Sequence, residues 1–226
     1  DASDASPSKL KVDVAWPEFI GRHDLIWDAL PTKFDYGAFL GNGMLGTTIY
    51  QDDENRLRWE MGRSDVTAHR RDNARMPIGG LILTTVGKIE KGTMRMDLWN
   101  AEVRGTITTD KGTITFRSFI HTNEMVLITD IDATGGEKGA SFAWEARPFN
   151  DRRRVWRFKS DPQNPPPTTD TIRGINICTQ ARYAGGDLTT AWRETSFGEG
   201  RRVILSIADS FPAKTSTKEA VATVEK

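Results

Sequence analysis

Consecutive extended segments between Gly79 and Thr134 constrain the fold more than any other feature of the sequence. The runs are rich in β-branched residues, alternate apolar with polar positions, and break at Gly, Asp or Asn; they read GGLILTTVGKIE, TMRMDLWNAEVRGTITTD, GTITFRSFIHT and MVLITDIDAT. The break at Asp110, Lys111 and Gly112 is typical of a hairpin, because glycine adopts a positive φ at little cost. The pattern predicts an antiparallel meander.

Four later segments extend this pattern to most of the chain, namely SFAWEARP, GINICTQARYA, LTTAWRETS and RRVILSIAD. No interior stretch keeps a helical stripe for three turns, so we expect an all-β fold in which two antiparallel sheets pack face to face. Trp99 and Trp144 should pack in its core. Between Arg147 and Asp170, a basic cluster and a proline-rich run predict a long excursion, either a solvated loop or, through Trp156, a sugar or domain contact.

The predicted boundaries divide the chain into three parts. Residues 1–14 are expected to be a polar, disordered leader, residues 15–211 the sandwich, and residues 212–226 a linker and the start of a helix. Ser216 or Thr217 is the expected N-cap of that helix. A short terminal helix buries little by itself, which favours a helical continuation and an amino-terminal fragment as the interpretation of the chain.

Composition argues against several classes of partner. The chain has 31 basic and 31 acidic residues, so no overall field attracts nucleic acid or an anionic membrane. No apolar run approaches the ~18 residues of a membrane span. The lone Cys178 cannot form an internal disulfide and is expected to be a small buried residue. Three scattered histidines predict no transition-metal site and we expect no cofactor, whereas a calcium site of carboxylates and carbonyls stays open.

The glycine-rich turn GNGMLG raises the question of a phosphate site. A phosphate-binding loop needs a strand before its glycines and a helix after them. Here the β-branched run MLGTTIYQD follows, and QDDEN then reads as a hairpin tip. Gly41, Gly43 and Gly46 are therefore expected to open a hairpin and to permit close approach of another surface or ligand.

Five segments in order give the sequence a family resemblance. They are DLIWDALPTKFDYGAFLGNGMLGTTIYQDDENRLRWEMGRSDV, MPIGGLILTT, MDLWNAEVRGTITTDKGTITFRSFIHTNEMVLI, INICTQARYAGGDLTTAW and VILSIADSF. From about Trp27 onward, apart from the excursion, the chain resembles the amino-terminal domain of family 95 glycoside hydrolases, the α-L-fucosidase and galactosidase type. The family's NEDTLW segment does not occur, and EMGRSDVTAHR is closer to a KTDAW variant of uncharacterised relatives.

The resemblance implies a galactose mutarotase-like β-supersandwich packed against an (α/α)6 barrel, in secreted or periplasmic enzymes that cleave glycans. In that family the catalytic residues lie in the barrel, so it implies no catalytic residue in this chain. The implied partners are the chain's own downstream barrel and a glycan substrate. The domain would support the barrel and could lend one loop to its pocket.

Six residues are candidates for substrate or domain-interface contacts. Trp27 and Trp59 flank the glycine segment, which contains Asn42, and could form a domain contact or a pocket wall. Asp65 is the acid we would choose if any touches substrate. Arg63 and His69 flank it and could donate to sugar hydroxyls or pair with it. Solvation or ion pairing is the simpler explanation for these charged residues.

Two other functions stay open at this point. One is a stand-alone carbohydrate-binding sandwich, which predicts glycan affinity that depends on Trp27 or Trp59. The other is a sugar epimerase, which would need His69 and His121 to converge, although His121 reads as a turn residue.

Overall fold

The computed structural model describes residues 13–70, 73–149 and 162–226, and in these ranges the chain forms two antiparallel sheets. The expected all-β, two-sheet sandwich is confirmed. Trp156 and the basic part of the excursion lie outside the described residues. The strands are β1 Leu25–Trp27, β2 Ala38–Gly41, β3 Leu45–Asp53, β4 Arg56–Arg63, β5 Gly79–Thr84, β6 Ile89–Asp97, β7 Glu102–Thr109, β8 Gly112–Ile120, β9 Val126–Ala133, β10 Ser141–Ala146, β11 Thr168–Ile172, β12 Ile175–Ala181, β13 Asp187–Phe197 and β14 Gly200–Ser210.

The larger sheet has nine strands in the order β1-β6-β7-β8-β9-β14-β13-β12-β11, and the smaller has five in the order β10-β5-β4-β3-β2. The predicted meander is confirmed for β6 to β9, which are successive antiparallel neighbours. The first segment predicted for the meander, GGLILTTVGKIE, is divided between the two sheets. The chain leaves the smaller sheet after Thr84 and enters the larger one at Ile89.

The core lies between the two sheets and centres on Trp59. Its ring is fully buried at 0% exposure and packs edge-on against Phe116 of the facing sheet, with ring centroids 5.5 Å apart. The indole N–H donates to the Ser118 hydroxyl at 2.9 Å, which satisfies the one polar atom that Trp59 brings into the core.

In the described ranges, two α-helices accompany the sheets. Helix α1 spans Trp16–Gly21, and helix α2 spans Ser216–Glu225. The sequence predicted Ser216 or Thr217 as the N-cap of helix α2. The helix already begins at Ser216, and its N-cap is Thr215. Its apolar residues form a second core with the outer face of β12, β13 and β14. No described helix has the length and apolar character that crossing a membrane requires.

Two local predictions from the sequence have opposite outcomes. The glycine turn does connect two antiparallel strands, β2 and β3, as expected for a hairpin opening. Trp99 does not pack in the core, because β6 ends at Asp97 and the tryptophan lies in the following turn with 50% of its surface exposed. Trp144 is partly buried and packs against the core from β10.

Candidate functional site

A cleft of about 700 Å³ lies on the outer face of the nine-stranded sheet, and we call it the trough. Helix α2 covers this face over β12 to β14, whereas none of the described helices covers it over β1 and β6 to β9. The residues that line the trough are Ile26, Trp27, Asp28, Thr93, Met94, Arg95, Arg104, Gly105, Thr106, Thr115, Phe116, Arg117, Asp130, Asp132 and Phe197.

Three arginines lie side by side across the floor of the trough. Arg95 of β6 is directly opposite Arg104 of β7, which is directly opposite Arg117 of β8. Asp130 of β9 and Arg202 of β14 continue the same row. Like charges at directly opposite positions destabilise a sheet, so this row requires compensation from nearby carboxylates.

Glu102 supplies that compensation from beneath the arginines. Its side chain is only 1% exposed and accepts hydrogen bonds from Nε of both Arg104 and Arg117. The Arg104 side chain is 61% exposed, and within the described parts of the chain no hydrogen bond occupies its terminal nitrogens. Fixing Arg104 by Nε leaves its terminal N–H groups as ready donors, whereas Nη1 of Arg117 lies 3.7 Å from Asp130 in a further ion pair.

Asp130 and Arg202 close one side of the trough. Nε and Nη2 of Arg202 donate to the two oxygens of Asp130, the latter at 2.8 Å, and these hydrogen bonds raise the pKa of Arg202 despite its burial. The Arg202 guanidinium also lies over the Phe197 ring, 3.5 Å from its centroid. Phe197 is thereby held at the rim as an exposed apolar surface.

A second row of polar residues runs parallel to the arginines. Thr93, Thr106 and Thr115 are opposite one another on β6, β7 and β8, and Asp132 follows on β9. At the other end Asp28 lies one residue beyond the paired Trp27 of β1. The floor therefore alternates hydroxyls, guanidiniums and carboxylates, which is a donor and acceptor set suited to a polyhydroxylated ligand.

Arg63, Asp65 and His69 lie at the opposite end of β14, in a group that we call the turn-end cluster together with Arg182 and Asp209. Seven residues separate Arg202 from Asp209, which corresponds to about 23 Å along a strand. The cluster is thus separate from the trough.

Asp65 and Arg63 form a bidentate ion pair, with Nε to Oδ1 at 2.9 Å and Nη2 to Oδ2 at 2.6 Å. Burial alone would raise the pKa of Asp65, but the hydrogen bonds and charge of Arg63 bring it below its ordinary value. Arg63 also donates to the Ile207 carbonyl of β14. Asp65 is therefore held ionised as the partner of an arginine that ties two strands together.

Arg182 and Asp209 form a more deeply buried pair beside it. Arg182 donates to Asp209, and its Nε donates to the Thr67 carbonyl at 3.0 Å. Burial raises the pKa of Asp209, and Arg182 opposes that rise only in part.

His69 stacks on Phe211, with ring centroids 3.8 Å apart and nearly parallel planes. Its Nε2 is buried and has no hydrogen-bond partner among the residues that the structure describes. Burial lowers the pKa of His69, the charge of Arg182 lowers it further, and Asp209 opposes both effects. His69 is thus a neutral packing residue, and its partner in the stack is not His121, which lies in the turn after β8.

The other three candidates have different surroundings. Trp27 lines the trough and its indole N–H donates to the Tyr36 carbonyl at 2.9 Å. Asn42 links the turn between β2 and β3 to the turn between β8 and β9. Its amide nitrogen donates to the His121 and Glu124 carbonyls, and its oxygen accepts hydrogen bonds from the backbone of its own turn. Trp59 lies in the core, where a saccharide cannot reach it without unfolding.

A smaller groove of about 350 Å³ lies on the outer face of the five-stranded sheet. Gly46 and Gly62 are directly opposite each other in its floor, beside the exposed rings of Phe34 and Phe39. An added Cβ at Gly62 would meet nothing within 4 Å, so packing within the described chain does not require a glycine there. In the described ranges, no group of three or more His, Cys, Asp or Glu residues is placed to hold a metal ion.

The sequence pointed to Trp27 but missed the arginines of the trough. The signal was present: counting outward from the Asp110–Lys111 turn places Arg104 opposite Arg117, and the turn after Asp97 places Arg95 opposite Arg104. Glu102, two residues from Arg104 on the same face, belongs to the same arrangement.

The fold and the trough define a class of protein, a two-sheet antiparallel β-sandwich with an open polar trough on its larger sheet. No family model matches the sequence, and no curated protein matches it. A solved structure described as "Putative kojibiose phosphorylase from human microbiome" is similar over 83% of this chain, with 10% sequence identity and a TM-score of 0.43. The chain spans 29% of the length of that protein. Such a likeness assigns no activity, and membership of family 95 stays a prediction.

Proposed function

We propose that this chain is a non-catalytic β-sandwich domain of a glycan-acting enzyme of the glycoside hydrolase type, and that the trough is where it contacts the glycan. The observation that carries the proposal is the floor of the trough, in which arginines fixed from below lie beside a row of threonines and two exposed aspartates. The resemblance of the sequence to family 95 agrees with this proposal.

The chemistry of the trough matches that of a sugar. Sugar hydroxyls accept hydrogen bonds from guanidinium N–H groups and donate to carboxylates, and the floor offers both kinds of group. The apolar rims, Ile26 on β1 and Phe197 on β13, can cover the C–H faces of a sugar ring. A flat apolar ligand would instead leave the guanidiniums and carboxylates without partners, at a cost in free energy.

The spacing of the carboxylates supports binding over cleavage. Glycoside hydrolysis requires two carboxyl groups about 5 to 9.5 Å apart. Asp28 and Asp132 are separated by four strand steps, which is about 19 Å at about 4.8 Å per step. The carboxylates of Asp130 and Glu102 lie between them, and each forms hydrogen-bonded ion pairs with arginines. We therefore propose that hydrolysis takes place elsewhere in the enzyme.

The second proposed partner is the chain's own downstream (α/α)6 barrel. Phe34, Tyr36 and Phe39 are exposed beside the groove on the smaller sheet, and apolar surface of this kind favours contact with another protein surface. Secretion or a periplasmic location belongs to the same proposal and rests on the family resemblance alone.

Isothermal titration calorimetry of the purified chain with maltohexaose, cellohexaose and xylohexaose tests the proposal. We expect binding of at least one oligosaccharide, weakened about tenfold or more in Arg104→Ala because a charge-assisted hydrogen bond is lost. Arg173→Ala is the matched control, since Arg173 is exposed, pairs with Glu225 and lies outside the trough. Absence of binding, or equal affinities in both variants, would refute the role of the trough.

A stand-alone carbohydrate-binding module is the second candidate, because the trough is complete within this chain. It makes the same binding prediction but no prediction of a catalytic partner. The two are separated by expressing the chain with and without the sequence that follows it and assaying aryl glycosides. Hydrolysis only in the longer protein supports the domain of an enzyme, and hydrolysis by this chain alone contradicts both.

A further inference from the structure

We infer that the trough selects neutral oligosaccharides over anionic ones, an inference that rests on the proposed function of the same site. A row of exposed arginines would ordinarily indicate an acidic ligand such as a uronate. The arrangement of carboxylates around this row indicates the opposite.

The positive charge of the floor is cancelled from below. Arg95 pairs with Asp24, Arg104 and Arg117 share Glu102, and Arg202 pairs with Asp130. These three carboxylates are all largely buried, so they contribute charge but are not available to a ligand. The side chains of Arg95 and Arg104, 56% and 61% exposed, stay accessible as donors.

Two further carboxylates, those of Asp28 and Asp132, lie exposed at the ends of the threonine row. The three arginines of the floor and Arg202 beside them therefore face five carboxylates, the three buried ones and these two. The trough presents hydrogen-bond donors toward solvent without a net positive field.

This charge balance discriminates between ligands. A neutral saccharide can accept from the arginines and donate to Asp28 and Asp132, and it brings no charge to desolvate. An anionic saccharide gains no net Coulomb attraction and must approach two exposed carboxylates at short range. The trough is thus selective through the carboxylates beneath and beside its arginines.

The length of the trough adds a second selection. Hydrogen-bonding groups extend over four strand steps from Asp28 to Asp132, about 19 Å at about 4.8 Å per step. A single sugar ring can reach only part of this row, whereas an oligosaccharide can occupy the whole of it. We expect affinity to rise from glucose or galactose to a hexasaccharide.

Calorimetry with two classes of hexasaccharide tests the inference: maltohexaose, cellohexaose and xylohexaose as neutral probes, and hexagalacturonate as the anionic probe. At 50 mM NaCl we expect the preferred neutral hexasaccharide to bind at least about tenfold more tightly than hexagalacturonate, a difference of about 1.4 kcal/mol. Its affinity should change by less than about twofold at 500 mM NaCl, since no net charge is neutralised on binding.

Glu102→Gln provides the sharper test, because it removes the buried charge and keeps the shape of the side chain. The variant should gain affinity for hexagalacturonate, by about tenfold at low salt, and the gain should disappear at 500 mM NaCl. Asp132→Asn makes the same change of charge at an exposed position, and it keeps the test valid if Glu102→Gln fails to fold. Arg173→Ala again serves as the control outside the trough.

The possible outcomes separate the inference from the proposed function. Tighter binding of hexagalacturonate by the unmodified chain, abolished in Arg104→Ala, would overturn the neutral selection and leave the trough as a glycan site. An unchanged preference in both Glu102→Gln and Asp132→Asn would also overturn it. Absence of binding to every saccharide would overturn the proposed function as well.

Discussion

Replacing Trp59 by phenylalanine separates a core residue from a ligand-binding one. Trp59 is fully buried, and its indole N–H donates to Ser118, whose hydroxyl also contacts Thr129 at 3.0 Å. Phenylalanine removes one buried hydrogen bond, worth about 1 kcal/mol, and part of the apolar ring, worth about 1 kcal/mol more. The free energy of unfolding should fall by about 2 kcal/mol, and the Tm by about 4 to 8 °C for a domain of this size.

Urea denaturation followed by circular dichroism measures this change, and a double-mutant cycle with Ser118→Ala isolates the hydrogen bond. We expect a coupling energy of about 1 kcal/mol, because Ser118 keeps Thr129 as a partner when the indole is removed. Trp99→Phe is the control and should change stability by less than about 0.5 kcal/mol, since Trp99 is half exposed. Equal effects of the two substitutions, or loss of glycan binding in Trp59→Phe without loss of stability, would refute the placement of Trp59 in the core.

Three further predictions concern a pair of glycines, His69 and Cys178. Gly105→Ala should lower the Tm strongly, because an added Cβ would lie 2.3 Å from the Phe116 ring, whereas Gly62→Ala should be neutral or stabilising by about 0.4 to 1 kcal/mol. The lowered pKa of His69 means that the unfolded chain binds its proton more readily, so stability should fall as the pH drops from 7.5 to 5, and less so in His69→Asn. Asparagine fits the positive φ of 47° at this position. Burial raises the pKa of Cys178 to about 11, so its reaction with DTNB at pH 8 should be slow in the folded chain and fast in urea.

Each of these expectations has a contradicting result. Equal Tm values for the two glycine variants would contradict the contacts of Gly105. A pH dependence of stability that is identical with and without the His69 imidazole would contradict its depressed pKa. Rapid labelling of Cys178 in the folded chain would contradict its burial.

The fold could be predicted from the sequence because it depends on local patterns. Alternation of apolar and polar residues defines β6 to β9, and turn residues such as Gly112 define where the hairpins reverse. The division of strands between sheets could not be predicted, since β5 and β6 are adjacent in sequence and equally β-like but belong to different sheets. That choice depends on which faces meet in the core.

The sequence predicted the candidate site less well, for a related reason. Arg63, Asp65 and His69 are close in sequence and do lie in one cluster, yet their surroundings come from Arg182, Asp209 and Phe211, more than a hundred residues away. Trp59 resembles an aromatic platform in sequence, and only the packing of the two sheets shows that it is internal. The arginines of the trough required the register of three strands, which hairpin counting could have supplied.

The lengths of the edge strands affect how the protein behaves at high concentration. In the larger sheet the edge strands are β1, with three residues, and β11, with five. In the smaller sheet they are β2, with four residues, and β10, with six. The paired strands β13 and β14 have eleven each. The unpaired backbone N–H and C=O groups of an edge strand can pair with a strand of another copy, and short edge strands expose few such groups. We therefore expect little addition of strands between copies of the domain at high concentration, despite its high β content.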